Sequence, residues 1–298
     1  MTFKPFHCPD RWKGLLSILG LLLFDALLAR IVLTRPLDGA SFVLGLFVLA
    51  SVPVIGYLML RTAGAFNLEY WVDRDGVTVV WGTTRQILPM GDIERIQRGA
   101  VARAEQQPRP WHWPCPECRL VDSETQGVVR SYATRPLAEQ LILVTPGGSF
   151  GISPTDPEAF LDALQERYRL GVARRLKAEE RRSPLWTWPL WRDWKAIALI
   201  GAGLLGVVIL FGVLAFRFPS LSSDLPLHFD INGLPDRIAP KSGLLALPLI
   251  GFAAWAANLA GGVWIYRRVQ RQGAYLLWAG AVAVQIIAGL ALRNIVRW

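Results

Sequence analysis

The sequence has no glycine-rich phosphate loop and no recognisable set of nucleophile and base, and its 298 residues include only three cysteines and three histidines. These absences argue against an enzyme, because phosphoryl transfer needs a backbone cradle and covalent catalysis needs an activated nucleophile. Charge is also scarce. Asp, Glu, Lys and Arg make up 18% of the chain, against 52% hydrophobic residues and 13 tryptophans, so an ordinary soluble domain is not the first reading. Acids are outnumbered by bases, 23 to 32, for a net charge of +9. Membrane orientation and attraction to anionic headgroups account for that surplus, and nucleic acid is not an expected partner.

What is present is apolar length. A bilayer core takes about 20 consecutive apolar residues. Five windows meet or approach this: Gly14 to Thr34, Ala40 to Leu60, Ala196 to Phe216, Gly243 to Tyr266 and Ala274 to Ile295. The first follows Lys4, Arg11 and Lys13, as a secretory signal would, but it is too long and no small-residue cleavage site precedes Arg35 and Pro36. It is read as a retained helix.

Basic residues near helix ends mark the cytoplasmic side. Between Arg167 and Lys195 they are Arg167, Arg169, Arg174, Arg175, Lys177, Arg181, Arg182, Arg192 and Lys195, against Glu179, Glu180 and Asp193. That segment is placed inside, with the N terminus and the short loop Arg267, Arg268 and Arg271. The C terminus then lies outside, and Arg293 and Arg297 run against the scheme. The expected location is a bacterial inner membrane, with membrane lipids and a protein as partners.

Between the second and third windows the pattern changes to alternation. "LEYWVDRDGVTVVW" reads as two strands, Leu68 to Val72 and Val77 to Trp81, around an Asp75-Gly76 turn. A third strand follows at Arg85 to Leu88, and a second hairpin is expected over Gln140 to Thr145 and Phe150 to Ser153. Asp156 then reads as the N-cap of a helix with Pro157 at its first position and Phe160, Leu161, Leu164 and Tyr168 as its apolar face. Antiparallel strands closed by one C-terminal helix, with "RQILPMGDIERIQRG" and "LVTPGGSFGISPTDPEAFLDAL", resemble the bacterial pleckstrin-homology (PH) domains. The resemblance covers about a third of the chain and implies a binding or scaffolding module.

The expected fold is therefore an α+β membrane protein. Residues 1–65 hold two transmembrane helices and 66–170 a cytoplasmic PH-like antiparallel β-barrel or sandwich with its helix. Residues 171–195 form a basic, Trp-rich juxtamembrane linker, and 196–298 hold three more spans with an extracytoplasmic cap at 217–242. Trp186, Trp188, Trp191 and Trp194 mark the headgroup level, where indole rings settle.

Inside the insert, "EQQPRPWHWPCPECRLVDSETQG" is longer than a hairpin loop needs. Cys115-x-x-Cys118 with His112 has the spacing of half a zinc site, and Cys8 at the N terminus lies on the same membrane face. Zinc on Cys8, His112, Cys115 and Cys118 is one reading, a redox pair at Cys115 and Cys118 is another, and an inert exposed loop with no cofactor is the third.

The stretch "SSDLPLHFDINGLPDRIAPKS" interrupts the last spans with His228, Asp230, Asn232, Gly233 and Asp236. Asn232-Gly233 can close a tight turn, and Pro226, Pro235 and Pro240 stop either helix from continuing. His228, Asp230 and Asp236 suit a metal or ligand, while turn-forming Asp and Asn equally suit a structural cap. With the flanking helices, "LPLHFDINGLPDRIAPK" resembles a membrane domain of unknown function that also begins the Sdp-type toxin-immunity proteins. The resemblance assigns no catalytic residue.

Asp25, Asn258 and Gln285 fall deep in the first, fourth and fifth windows. Ala254, Asn258 and Gly262, like Ala281, Gln285 and Gly289, repeat every four residues, a spacing that lets helices approach and a central amide bond across them. Packing is one reading; a small ion-coupled transporter centred on Asp25 is the alternative. The leading expectation is non-enzymatic recognition of a protein or lipid surface, in envelope stress, toxin immunity or as an accessory subunit.

Overall fold

A computed structural model describes residues 1–8, 10–102, 109–174, 176–181, 188–229, 235–268 and 270–296. Among these described residues five helices are long and apolar enough to cross a membrane: α1 (Arg11–Thr34), α2 (Gly39–Phe66), α4 (Trp194–Arg217), α5 (Ala246–Arg267) and α6 (Arg271–Val296). At 1.5 Å per residue the 24 residues of α1 extend about 36 Å, enough for the hydrocarbon layer. The short helix α3 (Pro157–Arg169) lies between α2 and α4 in sequence. The chain divides into two compact units, residues 1–24 with 51–186, and residues 25–50 with 187–298.

The strands are β1 (Thr2–Phe3), β2 (Glu69–Val72), β3 (Gly76–Trp81), β4 (Thr84–Pro89), β5 (Arg95–Arg98), β6 (Arg119–Ser123), β7 (Gly127–Tyr132), β8 (Leu141–Thr145), β9 (Gly148–Ile152), β10 (Glu179–Arg181), β11 (Asp224–Phe229) and β12 (Pro235–Pro240). In the first unit they make two five-stranded sheets, ordered β1-β2-β3-β4-β10 and β5-β8-β9-β7-β6. Of the expected antiparallel barrel or sandwich, a closed barrel is not formed: the strands make two separate sheets, and β7 pairs β9 in parallel. The parallel pair arises because the β8–β9 hairpin inserts β9 beside β7, a non-local pairing that alternation within a strand does not encode.

Alternation does determine which residues face inward. In β2, Tyr70 and Val72 are fully buried while Glu69 and Trp71 are half-buried, as the two-residue strand period requires. Leu68, Val77, Val79, Leu88, Leu143 and Ile152 join them in one core, on which α3 lays Phe160, Ala163 and Leu164. The Asp156 carboxylate caps α3 by accepting from Ala159 N at 2.9 Å, as its sequence signature predicts. Tyr168, assigned to the apolar face, is instead 65% exposed. The basic stretch read as linker also contains β10, whose three residues pair with the edge of β4 through backbone bonds and so needed no apolar pattern.

In the second unit, large side chains of α4, α5 and α6 enter spaces that glycine leaves open. A Cβ on Gly203 would come 2.7 Å from Trp255, one on Gly206 would come 2.7 Å from Gln285, and one on Gly262 would clash with Trp278. Trp278 is 2% exposed, so this glycine contact is a packed interface and not a lipid-facing groove. Three helix ends then meet at one carboxylate. Asp193 caps α4 by accepting from Ala196 N at 3.3 Å and accepts from the hydroxyls of Tyr266 on α5 and Tyr275 on α6. Those bonds to the charged form, that from Tyr275 foremost, hold the Asp193 carboxyl below the usual carboxylate range.

Candidate functional site

The three cysteines come together from the N-terminal segment and the middle of the first unit. Cys8 is 5%, Cys115 0% and Cys118 5% exposed, and all three belong to the core that contains Tyr70 and Phe160. A tight turn in which Cys118 N donates to Cys115 O at 3.2 Å brings the two thiols of the Cys-x-x-Cys motif to one side, 3.1 Å apart. Cys118 Sγ donates to Ala133 O at 3.3 Å, and Cys8 Sγ to Pro114 O at 3.4 Å. Cys115 is also a hydrogen-bond neighbour of Cys8. Hydrogen bonding between thiols and burial push Cys8 and Cys115 well above the ordinary thiol range, so both are held as neutral thiols.

The loop that carries the motif is gripped by Arg61 of α2. Its Nη1 donates to Cys118 O at 3.0 Å and its Nη2 to Cys115 O at 2.6 Å, with a further bond from Nη2 to His112 O. The guanidinium also lies over the Trp81 ring, 5.2 Å from its centroid. Arg61 is 7% exposed, and a charge that far from water is tolerated because its donors meet carbonyl dipoles. Sequence reasoning missed it: the second window was ended at Leu60, and nothing in a lone arginine after an apolar run announces a distant loop as its partner. On the α1 side the fit is close, since a Cβ on Gly14 would come 2.7 Å from Thr62 Oγ1 and 2.9 Å from Pro114.

His112 takes a different part from the one expected. Its Nδ1 accepts from the Arg109 backbone N–H at 3.2 Å, and burial together with Arg61, Arg119 and Arg109 lowers its pKa. Among the described residues no group of three or more His, Cys, Asp or Glu side chains is placed to hold a metal ion. Of the set Cys8, His112, Cys115 and Cys118, the three thiols therefore form a cluster, and the imidazole is bonded to its own loop's backbone. A cavity of about 450 Å³ adjoins Arg61 and is lined by Tyr57, Asn67, Trp81, Tyr132 and Glu180 as well.

In the second unit the intramembrane polar residues separate. Gln285 is 5% exposed and donates through Nε2 to Gly251 O at 2.8 Å, a bond from α6 to α5. Asn258 donates to Ala254 O at 2.8 Å, one turn back on its own helix. Asp25 is half-buried on α1. Of the two amides, Gln285 makes the cross-helix bond and Asn258 bonds within its own helix.

The cap stretch forms a two-stranded hairpin, β11 with β12, that places His228 opposite Arg237. Asp236 is in β12, whereas Asp230, Asn232 and Gly233 lie outside the described residues, as does Trp186 of the Trp-rich linker. Lys241 fastens the base of the hairpin: its Nζ donates to Phe218 O at 3.2 Å and Leu221 O at 3.3 Å and sits 4.8 Å from the Phe218 ring centroid.

Residues 68–168 match the bacterial PH domain. The PH match starts at β2 and ends in α3, and it encloses Cys115, Cys118 and the carbonyl partner Ala133 while leaving Cys8 and Arg61 outside it. A second match, over residues 205–252, is to a domain of unknown function, DUF1648, and takes in the second half of α4, the cap hairpin and the start of α5. No curated protein and no solved structure gives a significant match to the chain.

Proposed function

We propose that this multi-pass membrane protein is a non-enzymatic recognition protein whose bacterial PH domain docks a protein partner at the membrane surface. The observation that carries the reading is the outward face of the β6–β7 hairpin. Leu120 and Val128 stand 64% and 58% exposed there, on the terminal strand of its sheet and that strand's neighbour. With β6 and β7 in register as Leu120 to Arg130 and Asp122 to Val128, these two side chains share one face with Arg130. Exposed apolar residues rimmed by charge are the composition of a protein contact.

In this reading the PH domain lies on the cytoplasmic side of a bacterial inner membrane. The basic residues Arg167, Arg169, Arg174, Lys177 and Arg181 add attraction to anionic lipid, while exposed Trp191 and Trp194 sit at headgroup level. The five helices anchor the module, and the cap hairpin faces the other side, where an envelope-stress or immunity role would operate.

The test is purification of a tagged chain from its host in mild detergent, with mass spectrometry of what remains bound, beside the L120D/V128D double variant. A stoichiometric partner lost from the double variant supports the reading. A chain that purifies alone, or a partner retained by the variant, overturns it.

A further inference from the structure

All three cysteines of the chain are drawn into one buried cluster although Cys8 is separated from the motif by more than a hundred residues. Packing alone would be served by any small apolar side chain in those places. The Cys115 and Cys118 sulfurs, however, already stand 3.1 Å apart across a tight turn, so closing them to the bonded separation of about 2.05 Å needs a movement on the order of 1 Å. The backbone of that turn is held from outside by Arg61, which binds both cysteine carbonyls. The same closed frame therefore accommodates the sulfurs in either bonding state.

We propose that Cys115 and Cys118 are a reversible dithiol–disulfide site, oxidised by the disulfide of a low-molecular-weight thiol. In the balanced step the two S–H bonds break and one S–S bond forms. Two electrons and two protons pass to the oxidant, whose own S–S bond breaks to give two thiols. Cys8 lies beside Cys115 but outside the short turn, and it stays reduced in the product. Because the sulfurs are at most 5% exposed, exchange waits on local opening of the loop, which makes the site a slow one that reports prolonged oxidation.

The experiment uses the full chain in detergent, reduced under inert gas and then equilibrated across a series of reduced-to-oxidised glutathione ratios. Samples are acid-quenched, denatured, alkylated with N-ethylmaleimide and read by intact mass and peptide mapping. The expected result is a cooperative change from three alkylated thiols to one, with the peptide carrying Cys115 and Cys118 two hydrogens lighter and unalkylated. Dithiothreitol reverses it, and C8S retains it. The wild-type chain alone decides the matter, so the outcome does not depend on whether core variants fold. Three alkylated thiols across the whole series, a glutathione adduct on a single cysteine, or a link from Cys8 to either other cysteine would overturn the proposal. So would a chain that purifies with one equivalent of zinc shielding the three thiols.

Discussion

Arg61 Nη1 donates to the carbonyl of Cys118 at 3.0 Å, a bond between the end of a long apolar helix and a loop 57 residues further along the chain. It joins the membrane-spanning part of the first unit to the PH domain through a charged donor in a nearly dry place. Hydrogen bonds from a charged group are each worth about 1.5–3 kcal/mol, and leaving their acceptors buried and unpaired costs comparably.

Replacing Arg61 with methionine keeps much of the apolar stem but removes every one of these donors. The expected loss is on the order of 3 kcal/mol, seen as a lower unfolding temperature in detergent. Maleimide labelling of Cys118 in the folded chain should also quicken, because the turn loses its outside support. An unchanged labelling rate would show that the loop is held by other contacts.

Asp193 joins the ends of α4, α5 and α6, and its stabilising effect has a defined pH direction. Its folded pKa is depressed, chiefly by the Tyr275 hydroxyl, so the contribution is present above the ordinary carboxylate range, about 3.9, and is lost as pH falls through the lower folded value. D193N should therefore unfold earlier than the wild type at about pH 7, and the gap should close in strong acid. Thermal unfolding at both ends of that range measures it; a gap that persists in acid would assign the effect to shape and not to charge.

Gln285 spans α6 to α5 through Gly251 and fills the space beside Gly206. Q285L keeps the volume and removes the bond, for an expected cost of about 0.6–2 kcal/mol, while G206L should cost more because Gln285 has nowhere to move. Proteolytic resistance or unfolding of the two variants in the same detergent ranks them. Equal effects would mean that packing at Gly206 is looser than the contact distance states.

Loss of the cap on α3 is the mildest of these changes. D156A removes the acceptor for Ala159 N and should cost about 1 kcal/mol, leaving the sheets intact. Hydrogen exchange should quicken at the first turn of α3 and not in β2 or β3.

How far the sequence spoke depended on whether the signal was local. The five apolar runs each became a helix with ends within three residues of expectation, except that α2 continues six residues past Leu60 and so takes in Arg61. The same holds for the Asp75-Gly76 hairpin and the Asp156 cap, where the backbone preference of a few neighbouring residues decides the structure. Strand β5, Arg95–Arg98, begins and ends in arginine and carries no apolar alternation, so it was invisible until β8 paired with it.

The cysteine cluster divides along the same line. That Cys115 and Cys118 would share one side of a turn follows from their spacing, which is a property of the sequence alone. That Cys8 would join them, that His112 would turn to its own backbone, and that Arg61 would hold the turn were decided only by the tertiary structure. Those contacts exist because burying a guanidinium obliges its donors to find carbonyls, and only the folded chain brings such carbonyls within reach.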